Sequence, residues 1–358
     1  MNSEKKRGYI ILAVINAVFL CAFTVLTAVL CGITNRLSSQ SAALRWNADS
    51  GGSYAQVSVF YPEKLGLNLD SVYTMRVDIE KKLTENSITA ENSSARIWYD
   101  GYSALTTLSV TSSREEYTIV IDADVIATGG DYFKMHPLEL LSGYYYSDDD
   151  LMQDRVLLDE NLAWQLFGSS NVEGMTVLIN EKRFYVAGVI KPDSDSASSY
   201  TYGTKPHMYI SYSGLLSVSE DDYDTPITCY EAVLPNPVTG LAESIIEETS
   251  VGDDSERTII ENSERFSLKN LFAIAFDGGK RAVVDTELAY PFWENAARIT
   301  EENAAVVLVW AAAMLIVPIL TVMYFVFLPI HRRKTIAHKA AEKIKNSASK
   351  IIKRGRYK

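Results

Sequence analysis

The sequence has few of the residues that build redox, metal and nucleophilic sites. Of 358 residues, three are cysteines and four are histidines. Cys229 is the single cysteine between residues 35 and 302, so no disulfide can form within that segment and a hydrophobic core must hold it together. His136 and His207 are far apart and lack the spacing of a metal site. We expect His136, beside Pro137, to be a turn or surface residue rather than a base.

Motifs of catalysis are also missing. The segment 278–281 lacks the earlier glycine and the following serine or threonine of a phosphate-binding loop, and no serine stands in a nucleophile-elbow pattern. The acidic clusters lack the ligand spacing of a calcium-binding hand and are interpreted as solvated loops; they are residues 148–150, 193–195, 220–224 and 253–254. We predict that the chain is not an enzyme, with no catalytic, cofactor-binding or metal-binding residue.

Charge is absent from two long apolar runs, residues 8–34 and 303–330. At about 1.5 Å per residue, each run makes a helix longer than the ~30 Å hydrocarbon core of a membrane. We predict that both are transmembrane helices. The first run exceeds the apolar region of a signal peptide, about 7 to 15 residues, and is interpreted as an anchor that is not cleaved.

The flanking charges predict the orientation. Residues 1–7 carry a net charge of +2 and the tail 331–358 carries +10, whereas residues 35–302 carry −23. Flanks rich in lysine and arginine stay on the cytoplasmic side of a membrane. Both termini are therefore predicted to be cytoplasmic in the cell membrane, and residues 35–302 to form an extracytoplasmic domain.

Short helical and extended patterns alternate within residues 35–302. Val72, Met75, Ile79 and Leu83 recur at helical spacing after Asp70, which we expect to cap that helix. Strands are predicted at residues 95–99, 105–111 and 117–121, joined by turns. The pattern predicts an α+β domain whose sheet carries helices on one face.

The most distinctive segment is residues 154–192. A short apolar strand, 156–158, leads to Asp159, which can cap a helix whose buried stripe ends before Gly168. Two further strands, 175–179 and 183–190, form a predicted hairpin around residues 180 and 181. Gly188 leaves room for a bulge or for a closely approaching backbone.

This order resembles the extracytoplasmic core domain of MacB-like ABC transporter permeases. The residues that carry the resemblance are Val156-Leu157-Leu158, Leu162-Ala163, Leu166-Phe167-Gly168, Gly174 and Val186-Ala187-Gly188-Val189. The lead-in Asp131-Tyr132-Phe133 with residues 138–144, and the later strand 207–210, are similar to the family as well. The resemblance is sharp between residues 131 and 190.

The resemblance implies a mechanical role. In MacB-like systems the extracytoplasmic domain moves when a cytoplasmic ATPase dimer closes, and long helices carry that motion through the bilayer. Family permeases usually have four membrane helices, so this chain is expected to be a truncated form with two. ATP hydrolysis is expected from a separate ABC ATPase subunit, and a second permease or further copies of this chain are expected as partners.

Residues 292–317 are predicted to form one continuous stalk helix that enters the membrane. Pro291 suits its first turn, Glu294 and Arg298 are spaced for an ion pair, and Pro318 is expected to bend it. The alternative is a passive anchor whose proline only improves packing. The basic tail is either a lipid-contacting segment or a docking element for an ATPase or partner permease. No nucleic-acid partner is expected, because Tyr357 alone could stack on bases.

Aromatic residues leave a further alternative open. Those that could form a carbohydrate- or peptide-binding face are Trp98, Tyr99, Tyr102, Tyr144, Tyr145, Tyr146, Tyr200 and Tyr202. Packing within the sheet is favoured over binding, although three consecutive tyrosines, 144–146, cannot share one side of a strand and at least one should be exposed. The serine-rich segment 194–199 is interpreted as a mobile loop.

Two functions remain open from sequence. The first is a non-catalytic membrane subunit of a MacB-like transport or mechanotransmission complex. The second is a stand-alone, membrane-anchored binding or scaffold protein that keeps the fold without transport. We favour the first, because a passive scaffold needs neither a second span nor a continuous stalk helix.

Overall fold

The computed structural model describes the backbone of residues 3–35, 37–50, 52–65, 67–90, 96–112, 119–219, 225–253, 255–277 and 290–355. Within these ranges, side chains are described from residue 6 to residue 327, except residues 48–50. The chain divides into two compact units. Residues 33–305 form the head, and residues 1–32 with 306–358 form the helical pair.

The α-helices are α1 Ser3–Thr34, α2 Ala42–Ser50, α3 Leu69–Glu85, α4 Tyr132–Met135, α5 Glu160–Phe167, α6 Ser196–Thr201, α7 Tyr212–Val218, α8 Leu241–Thr249, α9 Leu268–Asp277 and α10 Phe292–Gly355. The strands are β1 Tyr54–Phe60, β2 Tyr99–Ser112, β3 Val120–Gly130, β4 Glu139–Gly143, β5 Arg155–Asp159, β6 Thr176–Ile179, β7 Lys182–Lys191, β8 His207–Ser211, β9 Cys229–Pro235 and β10 Thr258–Glu261. Short 3-10 turns occupy Ser38–Gln40, Glu63–Leu65 and Asn262–Glu264.

Within the described residues, the strands of the head form one ten-stranded sheet in the order β10-β1-β9-β2-β3-β8-β5-β7-β4, with β6 paired to β2 and β7. Two pairs, β3 with β8 and β5 with β7, are parallel, and the others are antiparallel. The helices are interspersed among these strands along the chain rather than alternating with them regularly. The predicted α+β class is confirmed.

Both faces of the sheet are covered. Along β5, Val156 and Leu158 pack into a core with α3, α5, α7 and α8, whereas Leu157 between them packs on the other side. That second side is an aromatic core containing Tyr132 of α4 and Trp293 of α10. Alternate residues of a strand point to opposite faces, so the two cores lie on opposite sides of one sheet. The expectation of helices on one face is therefore wrong, because α4 and the start of α10 cover the second face.

The segment 154–192 folds as its sequence predicts. The Asp159 carboxylate accepts a hydrogen bond from the Leu162 amide at 2.7 Å, which caps α5. Gly168 ends that helix in the left-handed conformation, with φ of 70°. The β6–β7 hairpin turns through Asn180 and Glu181, both with positive φ.

Three local predictions need correction. Asn68, rather than Asp70, caps α3, because the extended backbone of Asn68 lets its side chain accept from the Ser71 amide at 3.1 Å. Residues 196–201 form helix α6 rather than a mobile loop, since Asp195 caps it and Ala197 packs against Ala296 of α10. The strand predicted at 105–111 is part of the longer β2, which begins at Tyr99.

Several predictions fall on residues outside the described ranges. These are the start of the strands at 95 and 117, the acidic residues 220–224 and 254, and the segment 278–281. The side chains of the basic tail also lie outside them.

The helical pair consists of α1 and the later part of α10. The ranges Lys6–Thr34 and Phe292–Phe327 are long and apolar enough to cross a membrane, and the most apolar 18-residue window of each has a mean hydropathy of 2.6. Almost none of their most apolar windows is buried, at 0% and 11%, which is unlike the core helix of a soluble protein. Asn16 Nδ2 donates to Thr321 Oγ1 at 3.2 Å, so one hydrogen bond joins the two helices. The α10 helix continues through Pro318.

Candidate functional site

Several deeply buried charges of the head gather around the first turns of α10. We call Gln40, Arg265, Glu294, Arg298 and Glu301 the charged junction. Glu294, Arg298 and Glu301 belong to α10, Arg265 follows the 3-10 turn after β10, and Gln40 precedes α2. Arg265, Glu294 and Glu301 are each at least 95% buried. Charged side chains are almost never buried so completely unless they are paired.

Arg265 makes three side-chain hydrogen bonds within the junction. Its Nε donates to Glu301 Oε1 at 3.0 Å, and its two terminal nitrogens donate to Glu294 Oε1 at 2.5 Å and Gln40 Oε1 at 2.8 Å. Arg298 Nε also donates to Glu294 Oε1, at 2.8 Å, in the predicted ion pair. The Arg298 guanidinium lies 3.7 Å from the centre of the Tyr290 ring.

The junction balances two arginines against two glutamates, which suits its burial. Burial opposes the charged form of Arg265, but the Glu294 and Glu301 carboxylates outweigh it and raise its pKa above the usual value. A guanidinium fork fixes the direction of each bond, unlike the point charge of a lysine. The arrangement therefore fastens the first turns of α10 to the neighbouring elements of the head.

A second buried polar network lies on strand β9. Glu231 is 98% buried and accepts from Ser58 Oγ at 2.6 Å, with the Nε2 of His136 also in hydrogen-bond contact. Gln56 Nε2 lies 3.5 Å from the same carboxylate, and Asn262 Nδ2 donates to Ser58 Oγ at 2.6 Å. We call these five residues the Glu231 network. It joins β1, β9 and the ends of α4 and β10.

Trp293 of α10 contacts the Glu231 network through His136. Its ring lies 4.7 Å from His136 and 5.7 Å from Tyr132, centre to centre. The residue after it, Glu294, belongs to the charged junction. Consecutive residues of one helix turn thus contact the aromatic core and the ion pairs.

The expectation that His136 is a turn or surface residue is wrong. It caps the C-terminal end of α4 but is 97% buried, between the rings of Tyr132 and Trp293 and the Glu231 carboxylate. The sheet brings Glu231 to it from 95 positions away, which local sequence cannot reveal. His207 is also buried, stacked on Tyr202 at 3.8 Å, and burial lowers its pKa.

Glu231→Gln is expected to remove a pH-dependent part of the head's stability. Burial opposes ionisation of Glu231, but His136 and the Ser58 and Gln56 hydrogen bonds outweigh it, so its pKa lies below the ordinary 4.5. A depressed carboxyl pKa stabilises the fold above the unfolded-state pKa, and this stabilisation disappears as pH falls through the folded-state pKa. Glu231→Gln should therefore lower the free energy of unfolding by about 2 kcal/mol at pH 7.

Denaturant unfolding of the detergent-solubilised chain between pH 3 and pH 7 measures this. The difference between wild type and Glu231→Gln should be constant above about pH 4.5 and shrink below it. Glu160→Gln, at a half-buried position in the first turn of α5, serves as control. A Glu231→Gln difference that does not change with pH contradicts the argument.

The aromatic residues do not form one binding face. Trp98 Nε1 donates to Glu80 at 2.7 Å, and Tyr99 and Tyr102 are buried. Tyr144 is exposed beside Arg155 whereas Tyr146 is buried, so the prediction of one exposed ring is confirmed. No group of three histidine, cysteine, aspartate or glutamate side chains that could hold a metal occurs among the described residues.

Sequence reasoning found part of the junction. The Glu294–Arg298 pair follows from a spacing of four residues on a helix. Arg265 and Gln40 carry no such signal, since they reach α10 only through the folding of the sheet. Pro291 lies just before α10 rather than within its first turn, and its carbonyl accepts the first helical hydrogen bonds.

A family model described as the MacB-like periplasmic core domain matches residues 20–242, which is more than half of the chain. This chain belongs to that family. The head therefore carries the fold of an extracytoplasmic domain, and the two apolar helices are candidate membrane spans.

Named relatives match parts of the chain. The macrolide export ATP-binding/permease protein MacB of Aggregatibacter actinomycetemcomitans is 28% identical over 151 residues, 42% of this chain and 20% of that protein. The protein of the same name from Neisseria gonorrhoeae strain ATCC 700825 / FA 1090 is 30% identical over 78 residues, 21% of this chain and 12% of that protein. The matches thus span a fifth or less of these relatives.

Two solved structures are similar to the chain. The periplasmic region of MacB from Actinobacillus actinomycetemcomitans has 17% identity and a TM-score of 0.38, covering 58% of this chain and 89% of that one. The extracellular domain of the noncanonic ABC-type transporter YknZ from Gram-positive bacteria has 14% identity and a TM-score of 0.36, covering 57% of this chain and 99% of that one.

Proposed function

We propose that this chain is a non-catalytic membrane subunit of a MacB-like ABC transport or mechanotransmission complex. It couples a separate cytoplasmic ATPase to the extracytoplasmic head. The observation that carries the proposal is the attachment of α10 to the head through buried ion pairs, on a helix that continues as the second apolar run.

The backbone of α10 supports this role. It is helical from Phe292 to Gly355, without interruption at Pro318. A helix rises about 1.5 Å per residue, so a segment of this length is longer than a bilayer is thick. A displacement at its cytoplasmic end can be transmitted along the helix, provided that the other end is firmly held.

The charged junction supplies the firm attachment. Glu294 and Glu301 are about two turns apart on α10, and both accept hydrogen bonds from Arg265. Two points of attachment along one helix resist both sliding and rotation. A passive anchor needs neither.

Two spans cannot enclose a path for a solute, so the proposal requires partners in the membrane. Another permease or further copies of this chain would fill that role, and the hydrogen bond from Asn16 to Thr321 already pairs the two helices of one chain. A monomeric mass in mild detergent, without any copurified membrane protein, would contradict this part of the proposal.

The proposed topology places residues 1–7 and 331–358 in the cytoplasm, residues 8–34 and 303–330 in the cell membrane, and residues 35–302 outside. Leu151→Cys, at a fully exposed position of the head, should react with an impermeant maleimide on intact cells. Lys345→Cys should react only after permeabilisation. Cys21 and Cys31 are replaced by alanine for this test, and Cys229 is kept because it is buried. An unreactive Leu151→Cys on intact cells contradicts the topology.

Affinity capture of the full-length chain from its own membranes tests the partnership. An ABC ATPase should be recovered with it in near-stoichiometric amount, and a tagged unrelated two-span protein is the control. Recovery of the chain without an ATPase would support the alternative, a stand-alone membrane-anchored scaffold.

A further inference from the structure

Helix α9 carries more apolar surface than the described residues of the head cover. Leu271 and Ile274 are buried, at 1% and 3% exposure. Leu268, Phe272 and Phe276 are exposed by 61%, 37% and 86%. Each of these residues is four positions from the next, so the three form one stripe along the helix, which we call the α9 stripe.

The geometry of the helix separates this stripe from the buried one. At about 100° per residue, the five apolar residues cover an arc of roughly 200°, and the buried pair occupies about a third of it. Lys269 and Asp277 lie on the polar side. In the part of the chain that the structure describes, the α9 stripe packs into no hydrophobic core.

Hydrogen bonds fix where α9 begins. Arg265 precedes it by three residues and binds Glu301 on α10 at 3.0 Å, and Asn270 of α9 donates to the Arg265 carbonyl at 2.7 Å. Glu301 lies two residues before the uncharged run 303–330, or about 3 Å along the helix axis. The first turn of α9 is therefore linked through Arg265 to the part of α10 that directly precedes the second apolar run.

We infer that the α9 stripe lies in the outer boundary between lipid headgroups and acyl chains, so that α9 is an interfacial helix of the head. This inference rests on the membrane span assigned under the proposed function. Leucine and phenylalanine on one side of a helix, with polar residues on the other, are typical of helices in this position. Lys269 can extend its amino group to the headgroups while its methylenes stay beside Phe276.

Tethering makes the contact effective despite its small size. Three side chains would bind a bilayer weakly on their own, but Arg265 links α9 to α10 two residues before the assigned span, and such a link raises the effective concentration of α9 at the bilayer. The contact gives the head a second attachment to the bilayer besides the spans.

Depth-dependent fluorescence quenching tests this on the full-length chain in lipid nanodiscs. An NBD fluorophore is attached to Phe276→Cys in the Cys21→Ala, Cys31→Ala background. Brominated lipids quench from the membrane, and iodide quenches from water. Val77→Cys on α3 is the matched control, since it is an exposed apolar residue of a head helix in a different part of the fold. Val322→Cys, in the assigned span, reports on the span itself.

Brominated lipid should quench the label at 276 at least about twofold more than the label at 77, with iodide showing the reverse order. Equal behaviour at 276 and 77, with strong lipid quenching at 322, overturns the interfacial helix and leaves the span intact. A label at 276 that is shielded from both quenchers shows that protein covers the stripe, which also overturns the inference. Absence of lipid quenching at 322 refutes the span, and with it the proposed function.

Discussion

Arg265→Met is expected to destabilise the head by about 3–5 kcal/mol, because it removes the buried cation that the Glu294 and Glu301 carboxylates share. Glu294 keeps its ion pair with Arg298, whereas the ion pair between Glu301 and Arg265 is lost. Methionine fills a similar volume, so the loss reflects charge rather than a cavity. For a head of this size the midpoint of thermal unfolding should fall by roughly 10 °C.

A compensating variant separates charge from packing. Combining Arg265→Met with Glu294→Gln and Glu301→Gln removes the two carboxylate charges that Arg265 offsets in the wild type and should restore at least about half of the lost stability. Differential scanning fluorimetry measures the thermal unfolding midpoint of the wild type, of Arg265→Met and of the triple variant, each solubilised in detergent. A triple variant no more stable than Arg265→Met would show that the ion pairs are not the cause.

Gly143→Ala is expected to be as damaging, through sterics rather than charge. Gly143 ends β4 with φ of 77°, and an added Cβ would lie 2.0 Å from the Ala187 carbonyl oxygen and 2.6 Å from the Gly188 Cα. Both contacts are with the backbone of β7, directly across the sheet, where no side chain can rotate away. The strand pair must separate, at a cost of about 4 kcal/mol.

Gly168→Ala is the matched control for this prediction. Gly168 has nearly the same backbone conformation, with φ of 70°, but nothing lies within 4 Å of the added Cβ. Its substitution should therefore show only the strain of a left-handed alanine, about 1–2 kcal/mol. Comparable losses of thermal stability in the two variants would mean that the close approach of β4 and β7 does not matter.

The contrast between Asp159 and His136 shows what could be predicted. Asp159 binds the Leu162 amide three residues away, so the sequence alone predicts its role. His136 binds Glu231 across 95 positions, and nothing beside it in sequence signals that contact. Pro137, the next residue, is typical of a turn, and this local signal led to the wrong prediction that His136 is exposed.

The sequence by itself determined the features that depend on near neighbours or on summed composition. Two uncharged runs, the charge imbalance around them and the strand, helix and hairpin of residues 154–192 are all of this kind, because hydropathy and capping act over a few residues. The tertiary structure decided the rest. The sheet brings Arg265 to Glu301 from 36 positions away, and none of the hydrophobic cores formed by the described residues takes in the α9 stripe. Such long-range contacts depend on how the whole chain packs.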